Sequence, residues 1–205
     1  MDNVVTTIPT TTNNSNGLIQ NKMGSLTYYG ILSKQYEHDI FLGKMRLKEL
    51  LGTTPQRWKI DEWQAKYRTS NWIKQGYQRV VQDRPAEEFG RFLDDRQNFS
   101  PSLLYMNIRD TDAEKVRTGM EEMPTPEGWS QSPGMWKIPI PDDVTLWVVD
   151  GQHRIKGLKK ILTKYDDIEI PVVLTIGLDK TEEMYQFITC NKARGNVQTQ
   201  LSERL

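Results

Sequence analysis

Five consecutive residues, Asp150-Gly151-Gln152-His153-Arg154, concentrate the chemistry of this chain. An apolar, β-branched run ends at Asp150, and a helical apolar period, Ile155, Leu158, Ile161 and Leu162, begins just after Arg154. A strand that stops and a helix that starts across one glycine leave several N–H groups without an acceptor, all opening at one spot. The helix dipole makes that spot attractive to anions. Gly151 can adopt a positive φ and has no side chain to obstruct a ligand. His153 and Arg154 fall in the first helical turn, where a cation opposes the dipole at a cost of ~0.3–1 kcal/mol. A bound anion reverses that sign, and Arg154 can offer phosphate a bidentate fork. Asp150 has two readings. It can cap the helix, accepting N–H bonds from Gln152 or His153, or it can orient His153 or hold a metal–nucleotide complex. The plainer reading of the whole segment is a capped helix carrying two solvated polar residues.

A second stretch has binding chemistry of another kind. From Arg57 to Arg79, six Lys or Arg residues stand against two acids, with Trp58, Trp63, Tyr67, Trp72 and Tyr77 between them. Interleaved aromatics and cations can stack bases and neutralise phosphates. On this reading Arg57, Lys59, Lys66, Arg68 and Lys74 are DNA-binding candidates. The competing reading buries the aromatics in a core, as is usual for Trp, and solvates the cations.

Other chemistries fit poorly. His38 and His153 are the only histidines and lie far apart in sequence, so no histidine metal site is expected. A lone cysteine, Cys190, rules out an internal disulfide and a cysteine zinc site. Asp142, Asp143 and Asp150 are the carboxylates available to Mg²⁺, but the first two follow a proline and read as a solvated loop. Gly177, Lys180 and Thr181 lack the spacing of a phosphate-binding P-loop, and no serine stands in a nucleophile elbow.

The elements that must position these groups follow from periodicity. Residues 1–25, rich in Thr and Asn, read as a disordered polar tail, without the basic start or apolar stretch of a signal peptide. Order is expected from Leu26, with LTYYGILSKQ as a strand, Phe41 and Leu42 in a second, and Met45, Leu47, Leu50 and Leu51 in a short helix or turn. Pro85 opens a helix over PAEEFGRFLDD, and SPSLLYMNI reads as a strand. Asp110 to Glu127, with six acids and two bases, reads as an irregular excursion with one helical turn, pinned by Trp129 and Trp136. Strand, helix, strand and helix then alternate: Thr145–Val149, the helix from Ile155, Ile170–Ile176, and a helix opened by an Asp179/Glu182 capping box with Met184, Phe187 and Ile188 on its apolar face. VQTQLSERL reads as a helix that stops at the last residue, as in a domain truncated there or one whose end packs elsewhere. The 205 residues therefore predict one compact α+β domain over 26–205, a mixed sheet flanked by helices. A formal net charge of zero announces no global field for nucleic acid or membrane. No run approaches the ~20 apolar residues of a membrane span, so no membrane partner is expected, and the lone cysteine fits a reducing, cytoplasmic setting.

The pentapeptide is the DGQHR signature, and on it the chain resembles the DGQHR family of the ParB/sulfiredoxin-like superfamily. It is similar to DndB, linked to DNA phosphorothioate modification, and to ParB-like components of deazaguanine DNA-modification systems. Gly76-Tyr77-Gln78-Arg79 resembles the family's upstream element, and the likeness extends over roughly Tyr28 to Leu205. The resemblance implies a ParB/sulfiredoxin-like fold and a turn, Gly151, Gln152, His153 and Arg154, that binds nucleotide or DNA phosphate. It implies that Gln78 and Arg79 line the same cleft, with Asn191 and Arg194 closing its other side. It also implies ATP or CTP with Mg²⁺ as ligand, and DNA, a homo-oligomer or a DNA-modification complex as partner. Catalysis, if any, would fall to His153, Arg154 and Asp150 in a weak NTPase or a ParB-like metal-dependent nuclease; the remaining alternative is a DNA binder that needs no nucleotide. The chain departs from sulfiredoxin where that enzyme has its cysteine, since Gln152 stands there and supplies no nucleophile. It departs from ParB in showing no helix-turn-helix reader after residue 190.

Overall fold

The structure, a computed structural model, describes residues 26–52, 56–62, 76–95, 102–124, 134–165 and 168–192. The expected polar tail, Trp63, Lys66, Tyr67, Arg68, Trp72, Lys74, Trp129, Arg194 and the last predicted helix lie outside the described residues. In chain order the elements are β1 (Leu26–Gln35), β2 (His38–Arg46), α1 (Leu47–Leu51), β3 (Trp58–Lys59), α2 (Asp83–Asp95), β4 (Leu104–Ile108), α3 (Asp110–Arg117), β5 (Glu121–Glu122), β6 (Met135–Ile140), β7 (Leu146–Asp150), α4 (Gln152–Ile161), β8 (Glu169–Ile176) and α5 (Lys180–Lys192).

The strands join one mixed sheet in the order β3-β7-β4-β8-β2-β1-β6-β5. β3 and β7 run parallel, as do β4 and β8, and the other pairs are antiparallel. Alternation along each strand divides its residues between two faces. Tyr28, Phe41, Met106, Val148, Val172 and Leu174 enter the main core, where Ile155, Leu158 and Ile161 of α4 join them. The opposite face carries Trp147, Asn107 and Thr175 in register across β7, β4 and β8, with Thr175 donating to Asn107, and α5 lies over these through the bond from Asn107 to Glu183.

Two close approaches lock this frame. Tyr28 is fully buried, and its hydroxyl is shared between the carbonyls of Phe41 (2.8 Å) and Val172 (2.9 Å), which ties β1 to β2 and β8. Burial pushes its pKa up, so it stays a donor. Gly43 leaves room for that ring, since a Cβ there would lie 2.8 Å from the hydroxyl. On the other side of the sheet's core, α2 and α4 meet backbone to backbone. A Cβ at Gly157 would lie 2.5 Å from the Ala86 carbonyl oxygen, and one at Gly90 would lie 3.1 Å from that of Gly157.

Several expectations are corrected. Met45 ends a strand rather than starting a helix, because the alternation of β2 persists through Arg46. The acidic stretch is more regular than its composition suggests. Asp110 and Asp112 occupy the first turn of α3 and Lys115 and Arg117 the last, a charge order that suits the dipole, while Ala113 and Val116 are buried. The capping box is present and reciprocal: the Glu182 N–H donates to Asp179 and the Asp179 N–H to Glu182, both at 2.8 Å. Gly157→Ala is expected to force α2 from α4 and cost about 1–3 kcal/mol, as overpacking does; chemical denaturation of the variant against the parent measures it.

Candidate functional site

β7 ends at Asp150, α4 begins at Gln152, and only Gly151 lies between, with φ at 101°. No L side chain fits comfortably there. A Cβ would lie 2.6 Å from the Leu104 side chain and 3.1–3.2 Å from the Arg154 guanidinium, which folds back over the glycine. The first intrahelical bond runs from the Ile155 N–H to the Gly151 carbonyl at 2.9 Å. The amides of Gln152, His153 and Arg154 therefore precede any helical acceptor.

The side chains of the turn differ from expectation in two respects. Asp150 does not stand at the cap position, which is Gly151; its carboxylate receives a bond from Arg154 at 3.0 Å, with both side chains about 15 % exposed. His153 is not a standing cation. Burial lowers its pKa and nearby Lys156 lowers it further, against an opposing interaction with the Gln82 backbone, so the ring is neutral at neutral pH. The conflict with the helix dipole is thus eased within the protein, by pairing one cation and neutralising the other. Among the described residues, His153 Nδ1 and Gln152 Oε1 are buried without a hydrogen-bond partner.

The upstream element lies alongside. Gly76 takes φ of 76°, and the N–H groups of Tyr77 and Gln78 both donate to the Asp61 carbonyl at 3.0 Å. Gln78 is fully buried and its amide donates to the carbonyl of Val148, with that of Val149 at 3.3 Å, so it straps residues 76–79 to the end of β7. Arg79 follows it on the exposed surface. The structure therefore brings Gln78 and Arg79 to the end of β7 that leads into the turn, Gln78 as a support rather than a surface group. Asn191 donates to the Phe187 carbonyl at 2.7 Å, a bond within its own helix.

The family described as DndB, DNA-sulfur modification-associated, matches residues 51–203. The chain belongs to the DndB family. That membership associates it with DNA-sulfur modification. No curated protein and no solved structure matches the chain. The matched span of this DndB-family protein takes in the turn, the 76–79 strap and every element from β3 onward, while β1 and β2 precede it.

Of the DNA-binding candidates among the described residues, Arg57 is corrected. It is 5 % exposed, its guanidinium donates to the carbonyls of Ile140 and Pro141, and Asp142 lies 3.4 Å away, so it joins structure instead of meeting phosphate. Lys59 is exposed, 5.8 Å above the Trp147 ring. Among the described residues no helix is long and apolar enough to cross a membrane.

A charged network escaped the sequence reading altogether. Glu183 is fully buried and accepts bonds from Asn107 (2.8 Å) and from two nitrogens of Arg109 (2.6 and 3.0 Å). Arg109 also donates to Asp61 at 2.7 Å and stacks 3.5 Å above the Trp147 ring. Lys180 lies 3.0 Å from Asp61. Burial pushes the Glu183 carboxyl up, and the Arg109 and Asn107 bonds pull it back. One signal was available: Glu183 stands four residues before Phe187, on the inward side of α5, where an acid needs a partner.

Two outcomes test this description. Glu183→Ala leaves Arg109 with Asp61 alone as its carboxylate partner and breaks the buried pair, at an expected cost of about 3–5 kcal/mol, read by urea unfolding. His153 has a folded pKa below its ordinary value of 6.5, so its contribution is complete above that pH and is lost as the pH falls through the folded value. Thermal melts stepped downward from neutral pH should show His153→Gln losing stability less steeply than the parent.

Proposed function

We propose that the turn from Gly151 to Arg154 is a phosphate-binding site through which the protein acts as a regulator or subunit of a DNA-sulfur modification system. One observation carries this reading. Three helix-initiating amides and a held guanidinium meet at a glycine whose conformation excludes a side chain. Amides of this kind, aligned with the positive end of a helix, favour an anion. Asp150 supports the reading by fixing Arg154 before a ligand arrives, which reduces the ordering cost of binding. Release of one guanidinium nitrogen from the carboxylate would still leave the fork able to bridge two phosphate oxygens.

The ligand class is a phosphate of DNA or of a nucleotide, ATP or CTP with Mg²⁺, in line with the ParB/sulfiredoxin-like assignment of the DGQHR signature. A neutral His153 serves as a hydrogen-bonding group at this site, and no reaction step is assigned to it.

Thermal-shift and equilibrium binding against ATP, CTP, GTP and short DNA duplexes, each with and without Mg²⁺, test the proposal. Arg154→Ala is expected to weaken phosphate binding at least tenfold, the range for a hydrogen bond to a charged group, and to lower stability by about 1–2 kcal/mol through loss of the Arg154–Asp150 bond. Arg154→Lys should recover part of the binding. A folded Arg154→Ala protein that binds as tightly as the parent overturns the proposal.

A further inference from the structure

Beside the turn, a recess of about 720 Å³ opens between residues 56–62, the start of α2 and the outer side of α4, with Trp147 in its wall. It includes none of the residues Asp150–Arg154. We propose that it holds one unstacked nucleotide, the base against Trp147 and the phosphate between Lys59 and Lys159.

The charges that line the recess divide into committed and available ones. Asp61 is neutralised by Arg109 and Lys180, and Glu62 by Lys156 at 3.1 Å. Lys160 is held by Glu87 at 2.7 Å. Asp83 sits in the first turn of α2, where the helix dipole offsets its charge. Lys59 and Lys159 differ, because among the described residues each is paired only with neutral groups. Lys59 lies over the Trp147 ring, while Lys159 donates to the Gln56 side chain at 2.9 Å and lies 5.7 Å over Trp58. Two exposed ammonium groups with no ion-pair partner among the described residues, set in one recess against the single remaining carboxylate of Asp83, favour an anion.

The aromatic wall narrows the anion's identity. The Arg109 guanidinium covers one face of Trp147, locked there by Glu183 and Asp61. The indole is therefore held at a set angle, and it lines the recess together with Lys59. A rigid indole with Lys59 over it, in a recess that Lys159 also lines, suits a flat ring bearing a phosphate, and base–aromatic stacking of this kind tolerates any base. A base within an intact duplex is already stacked, so the ligand is a free nucleotide or a nucleotide of a single or opened strand. Because Lys59 and Lys159 lie outside the turn, this inference goes beyond the phosphate site and survives its failure.

Fluorescence anisotropy with a labelled 12-mer of oligothymidylate, competed by unlabelled thymidine monophosphate, tests it. Lys59→Ala and Lys159→Ala remove exposed side chains and leave the fold intact, as circular dichroism should show. Each is expected to weaken binding roughly tenfold and to lower the salt slope by about 0.7. Trp147→Leu is expected to weaken binding tenfold or more, while Trp147→Phe keeps a flat ring and most of the affinity. Displacement by the monophosphate identifies a free nucleotide as sufficient; retention of the labelled strand identifies a strand nucleotide. Either supports the proposal. Absence of binding by the parent protein to both ligands overturns it, and so does undiminished binding by both lysine variants. Loss on Arg154→Ala alone would uphold the turn as a phosphate site and remove the recess as a base site.

Discussion

A carboxylate without solvent organises this protein. Glu183 sits under the first turn of α5, and a buried charge of that kind is tolerated only when its lone pairs are met. Asn107 and Arg109, from the end of β4, meet them. Arg109 then needs its remaining donors used, and Asp61, just beyond β3, accepts one. The same residue's carbonyl receives the Tyr77 and Gln78 amides, and Gln78 in turn bonds the last carbonyls of β7. A single electrostatic requirement thus runs from α5 across the sheet to the residue before the turn. Replacing its charged side chains with apolar groups would relieve the desolvation and leave the strap's own bonds, to the backbone carbonyls of Asp61 and Val148, in place.

The candidate turn and the recess draw on this network from two sides. At the turn, it supplies the backing that holds residues 76–79 against the strand end. At the recess, it fixes the Trp147 indole and removes Asp61 from the local charge balance. The basic face of α4, with Lys156, Lys159 and Lys160, gains its character from what these outside partners neutralise. Local charge here is decided by pairing and not by composition, which explains how a chain of zero formal net charge can still present a cationic recess.

Much of this was legible in the residues themselves. The strand–glycine–helix transition at 150–152 follows from an apolar run, a glycine and a helical period, and all three are local. So are β1, read from Leu26 to Gln35, and the Asp179/Glu182 box. Long-range pairings were not legible. Nothing near Arg57 in sequence reveals the Ile140 and Pro141 carbonyls that absorb it, and nothing near Arg154 predicts that it would fold back to Asp150 rather than project outward. The helix α3 was missed for a different reason: counting acids hides their order, and order along the dipole is what makes the segment helical. Family resemblance read from the pentapeptide pointed to DNA modification, and the match over 51–203 rests on far more of the chain.

The contact between Gly90 and Gly157 has a mechanical meaning. With backbone against backbone at both glycines and the Phe89 ring beside Gly157, the two helices leave no room between them for a further side chain. α2 and α4 behave as one stiff lever. The head of that pair carries Gln82 and His153 side by side, and its flank carries the lysines, so both candidate sites share one mount.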